Sequence, residues 1–346
     1  MAELQLRLNG KGFTRWVSAR VTRSMQQLAG DFELVVGGAW AADGLRPSTA
    51  VGKACEIHIA GVRVQTGIID SAPANFDASS HGLRLEGRDR TSDLVDCSAP
   101  AVQWIGRTLA DVARDLCKPF GITVIDRAGL KTPFKTYKPH DGDTIFAALD
   151  QGARYRGVLL LSDAKGNLVI DRVGSVTAAD TLELGKNIIS GSGGRDLREC
   201  FNTYTVKGQK RGSDPDATAQ VSATITDHQL ITRHRPLTIV CDGPVTTGAA
   251  RTRAKWEASV RAGRAQAITY KVKEWRQSNG AVWEPNQKVM VIDPYNDINE
   301  KRLITDVTYS LDDQSGEVAE ITVMPPGAFA KLAEPEPERE DDDDGY

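Results

Sequence analysis

Hydrophobic and polar residues alternate through most of the first hundred positions. Leu4, Leu6 and Leu8 take every second place, and Asn9-Gly10 follows as a hairpin-type turn. The period of two returns at Phe32/Leu34/Val36, Ile57/Ile59, Val62/Val64 and Leu83/Leu85, with Ala60-Gly61 joining two of these segments tightly. Short strands at regular spacing, punctuated by Gly and Pro, predict a barrel or a sandwich. A short helix is expected within Gly87–Asp96, with Asp89 as its N-cap.

The pattern changes near residue 104. Thr108-x-x-Asp111 is a capping box, and Leu109, Val112, Ala113 and Leu116 then follow the spacing of one apolar helix face. Pro119 and Gly121 end that helix, and Ile122–Ile125 reads as a strand. A second helix is expected from Asp143 to Gly157, carrying Ile145, Leu149 and Ala153 on one side. Val158–Leu161 and Leu168–Ile170 then form a hairpin around Asp163-Ala-Lys-Gly166. This is a small α/β module.

From Leu182 the β pattern resumes in Leu182–Leu184, Tyr204–Val206, Val221–Ile225 and Leu237–Val240. A helix spanning Thr246 to Ala262 interrupts it, and four β segments follow: Ala267–Trp275, Lys288–Ile292, Leu303–Leu311 and Val318–Val323. Asp312–Gly316 is the turn between the last two. The chain therefore divides into a first β part over 1–100, an α/β part over 101–180, a second β part with a packed helix over 181–328, and a tail over 329–346. Its class is β-rich α+β.

Composition narrows the function. The 346 residues are 40% hydrophobic and 26% charged, a globular profile. No apolar run approaches the roughly 20 residues that span a bilayer. The opening Met1–Leu8 lacks a signal-peptide core and reads as a strand, so the protein is expected to stay where it is made. From Glu334 to Tyr346, eight carboxylates and one arginine give −7, so the other 333 residues carry +4 (−3 minus −7). Such a tail repels itself and buries nothing, which predicts disorder. A body of +4 is too weakly basic to imply sequence-specific nucleic-acid binding.

Chemistry is hard to find along the chain. Cys55, Cys97, Cys117, Cys200 and Cys241 are scattered and odd in number, as buried free thiols in a reducing cytosol would be. His58, His81, His140, His228 and His234 form no metal motif; His58 falls within a strand and reads as a packed histidine. Ser190–Arg195 is rich in glycine, but no strand leads from it into a helix, and it reads as a flexible loop. Asp70, Asp89, Asp93, Asp293 and Asp306 sit where strands end or turn, a backbone-bonding role common to Asp. Asp293, Asn296, Asp297 and Asn299 offer oxygens to calcium but lack the glycine and closing glutamate of an EF-hand, so a polar hairpin loop is the better reading. Arg251, Arg253, Lys255, Arg261 and Arg264 make the most basic stretch, either a solvated helix face or a surface for an acidic partner or passing DNA. No catalytic, cofactor-binding or metal residue is assigned, and no cofactor is implied.

Four stretches carry a resemblance. They are Gly87-Arg-Asp-Arg-Thr-Ser-Asp-Leu-Val-Asp-Cys97, Thr108–Val124, Arg154–Val169 and Tyr204-Thr-Val-Lys-Gly208. In order and spacing they resemble the baseplate hub proteins of phage Mu and Mu-like prophages. Phe13-Thr-x-Trp16, Val21-Thr-Arg-Ser24 and Ala29-Gly-x-Phe32-Glu-Leu34 extend the likeness to the start of the chain, and it runs on to Pro326. The resemblance implies two tail-tube-like antiparallel β-barrels flanking the α/β part, three copies in a ring, and no enzyme activity. It also implies partners: two further copies, the tail spike, and the tail tube or other baseplate proteins, with DNA only passing through and no stable membrane insertion. The expected location is the virion tail baseplate, assembled in the bacterial host cytoplasm.

Two other readings compete. A cell-wall hydrolase or glycan-binding tail-tip module would need paired carboxylates or an aromatic platform, for which Trp104, Trp256, Trp275 and Trp283 are candidates that also suit packing roles. The hub portion of a type VI secretion spike would usually continue into a further barrel and a β-helix.

Overall fold

The computed structural model describes residues 4–36, 46, 50–76, 81–211, 218–228, 230–330 and 332–333. Of the tail expected to be disordered over 329–346, Phe329 is instead buried at the end of a 3-10 turn, and 331 and 334–346 lie outside the described residues. The first β part holds β1 (Leu4–Leu8), β2 (Lys11–Phe13), β3 (Ser18–Ser24), β4 (Asp31–Val36), β5 (Ala54–Ile59), β6 (Val62–Ser71), β7 (Ala74–Phe76) and β8 (His81–Asp89). The alternation read from the sequence is the burial pattern: in β1, Leu4, Leu6 and Leu8 are all buried. Asn9 and Gly10 both take positive φ, the geometry a two-residue hairpin needs.

The α/β part comprises α1 (Ser92–Asp96), β9 (Trp104–Ile105), α2 (Leu109–Cys117), β10 (Val124–Asp126), β11 (Thr136–Tyr137), α3 (Ile145–Arg156), β12 (Leu159–Ser162) and β13 (Leu168–Asp171). The capping box on α2 is formed: Thr108 Oγ1 accepts the Asp111 amide at 3.2 Å, and the Asp111 carboxylate accepts the Thr108 amide at 3.2 Å. Helix α3 begins two residues later than expected, after Thr144, whose hydroxyl accepts the Ala147 amide at 3.1 Å. Leu109, Val112, Leu116, Ile145, Leu149 and Leu168 share one buried core. Strand β10 lies parallel to β13, which pairs in turn with β12 across the expected hairpin.

The second β part contains β14 (Val176–Glu183), β15 (Ile188–Gly193), β16 (Thr203–Arg211), β17 (Thr218–Thr226), β18 (Pro236–Pro244), α4 (Thr247–Arg264), β19 (Ile268–Val272), β20 (Gln287–Asp293), β21 (Ile298–Asp312) and β22 (Gly316–Met324). The stretch expected to be a loop, Ser190–Arg195, is corrected here. Its first residues belong to β15, antiparallel to β19. Glycine serves packing there, since a Cβ on Gly191 would stand 3.2 Å from the Tyr270 ring. Strands β16, β17 and β18 make a separate three-stranded sheet. Helix α4 packs on it through Ala250, Ala254 and Ala258 against Tyr204, Val206 and Val221.

The two β parts are not separate sheets. Strand β21 pairs antiparallel with β3, with Val307 opposite Arg23 and Tyr309 opposite Val21. This ladder joins both parts into one 14-stranded network running from β15 to β2 as an open path among the described residues. One core accordingly mixes Leu6, Leu34 and Ile57 with Tyr270, Val307 and Ile321. The molecule is β-rich with few helices, and no helix among the described residues is long and apolar enough to cross a membrane.

Candidate functional site

The most organised polar cluster lies where the three parts meet. On β3, Ala19, Val21 and Arg23 share the buried face, so alternation carries a guanidinium into the interior. Its Nη1 donates to Glu284 Oε1 at 2.9 Å and its Nη2 to the Ser162 carbonyl at 3.3 Å. On β8, Leu83, Leu85, Gly87 and Asp89 point inward in the same way. Asp89 accepts the Ser162 hydroxyl at 3.0 Å and both the amide and hydroxyl of Thr91 at 2.9 Å. First β part, α/β part and second β part are thus linked by one chain of charge and hydrogen bonds.

Burial pushes the Asp89 carboxyl up to about 6, against the lowering effect of Thr91, Ser162 and Arg23. The expected N-cap role for Asp89 is corrected: α1 starts after Thr91, and Asp89 fixes that residue from two positions back. Two further bonds seal the same seam. Thr66 Oγ1 donates to the Ala164 carbonyl at 2.9 Å, and Arg90 Nη2 to the Phe120 carbonyl at 3.0 Å.

A cavity of about 250 Å³ opens beside this junction, between Met25–Leu28, Phe146 and Leu159 of the α/β part, and Trp256 and Phe329. Its walls again come from all three parts. Among the described residues, no nucleophile–base pair lines it.

The residues singled out from sequence are dispersed. Asp70 pairs with Arg88 on the surface at 2.9 Å, and Asp93 lies inside α1. Asp306 is not at a strand end but within β21, beside a bulge, where it accepts the Ser24 hydroxyl at 2.6 Å. Asp293 closes β20 and accepts the Tyr270 hydroxyl at 2.7 Å. Burial opposes its charge, but the Asn296 and Tyr270 side chains and two backbone amides outweigh it and hold the carboxyl below its ordinary value. The loop after it is a 3-10 turn built on Asp293. Among the described residues, no group of three or more His, Cys, Asp or Glu could hold a metal ion.

His58 is packed, with Nε2 at 2.9 Å from Glu56. Cys55, Cys117 and Cys200 are buried, whereas Cys97 and Cys241 are half-buried, so burial of all five thiols is not realised. Burial pushes the Cys55 and Cys117 thiols up to about 12, far from nucleophilic use. Trp104, Trp275 and Trp283 are core residues, and the half-buried Trp256 spends its indole N–H on the Ala330 carbonyl. They form no exposed platform. Arg23, Ser162 and Glu284 escaped the sequence reading. The available signal was a cation on the apolar side of an alternating strand.

Three family models match in chain order: Mu phage baseplate assembly protein GpP-like, N-terminal, over residues 3–89; baseplate hub protein gp44-like, second domain, over 91–172; and Mu phage baseplate assembly protein GpP, fourth domain, over 246–332. The baseplate hub protein gp44 of Escherichia phage Mu is 37% identical over 339 residues, covering 94% of this chain and 88% of that protein. The chain belongs to the Mu baseplate hub family. Two solved tail proteins share the fold over nearly their whole length. One is the 43 kDa tail protein of prophage MuSo2 from Shewanella oneidensis, at 34% identity and TM-score 0.85, covering 95% of this chain and 99% of that one. The other, from Neisseria meningitidis MC58, has 26% identity and TM-score 0.82, covering 96% and 99%. The first two family matches of this Mu-type hub sequence meet at Arg90, between Asp89 and Thr91. The buried polar cluster therefore bridges that boundary.

Proposed function

We propose that this chain is the structural hub of a Mu-like contractile tail baseplate, with three copies closing into a ring that joins the tail tube to the central spike. The observation that carries the reading is the β3–β21 ladder. Together with the Arg23 cluster, it makes the first and second β parts one mechanical body around the α/β part. A hub works by geometry, transmitting force between neighbours, and needs rigid seams more than a reaction centre.

In this reading, each β part acts as a tail-tube-like barrel. Three chains then present six such units to the tube above and threefold symmetry to the spike below. Cyclic closure gives every copy the same pair of contacts, each expected to bury at least about 1,000 Å². DNA would pass through the central channel without being held. The protein would reside in the virion tail after assembly in the bacterial cytoplasm, without membrane insertion.

Light scattering coupled to size exclusion tests this directly. The expected mass is about three times the 37.5 kDa chain, at high concentration or with the spike present, and negative-stain class averages should show an annulus with a central hole. A strict monomer under both conditions would remove the mechanism. Incubation with peptidoglycan should release no fragments, and release abolished by one Asp or Glu substitution would instead favour a cell-wall hydrolase.

A further inference from the structure

The stretch between β10 and α3 makes a second cationic surface, less neutralised than that of α4. Arg127, Lys131, Lys135 and Lys138 give residues 127–140 a charge of +4, with no carboxylate among them. On α4, by contrast, Glu257 is shared between Arg253 at 3.0 Å and Arg261 at 3.3 Å. Lys131, Lys135 and Lys138 are exposed, and none has an ion-pair partner among the described residues. Two carboxylates that flank the stretch are turned to its backbone. Asp126 accepts the Gly129 amide at 2.8 Å, and Asp143 accepts the His140 amide at 3.0 Å.

This stretch is held in shape from inside. Phe134 and Tyr137 are buried and stack at 4.8 Å, and the Arg156 guanidinium lies 4.0 Å over the Phe134 ring. The Phe134 amide donates to the Arg107 carbonyl at 2.9 Å, and β11 pairs with β9, setting Thr136 opposite Ile105. That register brings apolar surface beside the cations: Ile105 is 70% exposed and Val102 45%. Lys135 and Lys138 bracket β11, about 10 Å apart in extended chain.

We propose that this ribbon, Ile105 together with Lys131, Lys135 and Lys138, docks an acidic segment of a partner protein that carries an aliphatic or aromatic side chain. Charge complementarity sets the sign of the partner, and the exposed aliphatic residues set its second feature. Single-stranded nucleic acid is the weaker fit, because it needs aromatic faces to stack on, and both rings here are spent in the core. Phosphate contacts to duplex DNA make no use of Ile105 or Val102. The stacked rings already fix the stretch, so little ordering entropy is lost on docking. The contact lies in the α/β part and is independent of ring closure.

Fluorescence anisotropy with the full chain at low salt provides the test, with the labelled peptide Glu-Asp-Leu-Glu-Asp-Ile-Glu-Asp as the probe. K131E/K135E/K138E should weaken binding at least about tenfold, while R251E/K255E on α4 should change it by less than about twofold. I105S should weaken it about threefold through lost apolar contact. A peptide with glycine in place of its leucine and isoleucine should show the same loss on the parent chain and no further loss on I105S. Zero-length carbodiimide cross-linking should join the peptide to Lys131, Lys135 or Lys138. Unchanged urea midpoints show that each variant folds. The proposal is overturned by undetectable binding to the parent, or by an equal loss in R251E/K255E. Tighter binding of a short DNA duplex through the same lysines would overturn it in favour of nucleic acid.

Discussion

The guanidinium of Arg23 meets the carboxylate of Glu284 at 2.9 Å across 261 positions of sequence. The two partners live in different solvent: the Arg23 side chain is 9% exposed and that of Glu284 is 42%. Behind Arg23 lies Asp89, buried and bonded to Ser162, whose carbonyl Arg23 also holds. Arg23 is therefore the shared counter-charge of a wet carboxylate and a dry one, and the two ends of the pair should not weigh equally.

Arg23→Met should cost about 3 kcal/mol, the usual loss when a buried charge is left without its partner. Glu284→Gln should cost under about 1 kcal/mol, because the exposed end can exchange its ion pair for water. Urea unfolding of both variants checks this asymmetry, and equal losses would contradict it.

Asp89 should also leave a mark on the pH dependence of stability. Burial raises its folded-state value from 3.8 to about 6. Between those values the folded chain holds more protons than the unfolded one, so stability falls as pH rises. The stabilising contribution is full below about pH 4 and is lost as pH rises through 6, with a size on the order of 3 kcal/mol. Asp89→Asn removes the titration. Relative to the parent, this variant should gain stability as pH rises from 4 to 7, read from urea midpoints at several pH values. A constant difference would mean that Asp89 does not titrate in this window.

Much of the fold is legible from local pattern because local physics decides it. Leu4, Leu6 and Leu8 alternate, Thr108 and Asp111 cap α2, and Asp163–Gly166 turns between β12 and β13. In each case the deciding contacts lie within a few residues. The pairing of Val307 with Arg23 is different. Either strand could add to many edges, and only the assembled core selects the partner. The same holds for Ser190–Gly193, whose glycines look like a loop until Tyr270 lies against them. The junction cluster shows both cases: Asp89 stood out within a recognisable segment, whereas Ser162 and Glu284 gain their meaning only when three distant elements meet.

The α2 cap offers a local test. Thr108→Ala removes the acceptor for the Asp111 amide and the hydroxyl that donates to the Asp111 carboxylate at 2.7 Å. A loss of about 1 kcal/mol is expected. Thr108→Ser keeps the oxygen and should recover most of it, as measured by thermal or urea unfolding. A Ser variant as unstable as Ala would shift the role of Thr108 from its hydroxyl to its methyl group.

Gly263 sets two effects against each other. Within a helix, replacing Gly by Ala gains up to about 1 kcal/mol from backbone propensity. At this position the added Cβ would fall 2.6 Å from the Ala328 nitrogen and 2.7 Å from its Cα, and backbone cannot swing aside as a flexible side chain can. Overpacking of this kind costs about 1–3 kcal/mol, so G263A should be destabilised by about 1 kcal/mol net. The damage should be local in character. The Ala328 amide, which donates to the Pro325 carbonyl at 2.9 Å, should lose hydrogen-exchange protection. Trp256 fluorescence should shift as the Ala330 carbonyl withdraws from its indole. A stabilised G263A with unchanged Trp256 emission would mean that the 326–330 turn does not sit on α4.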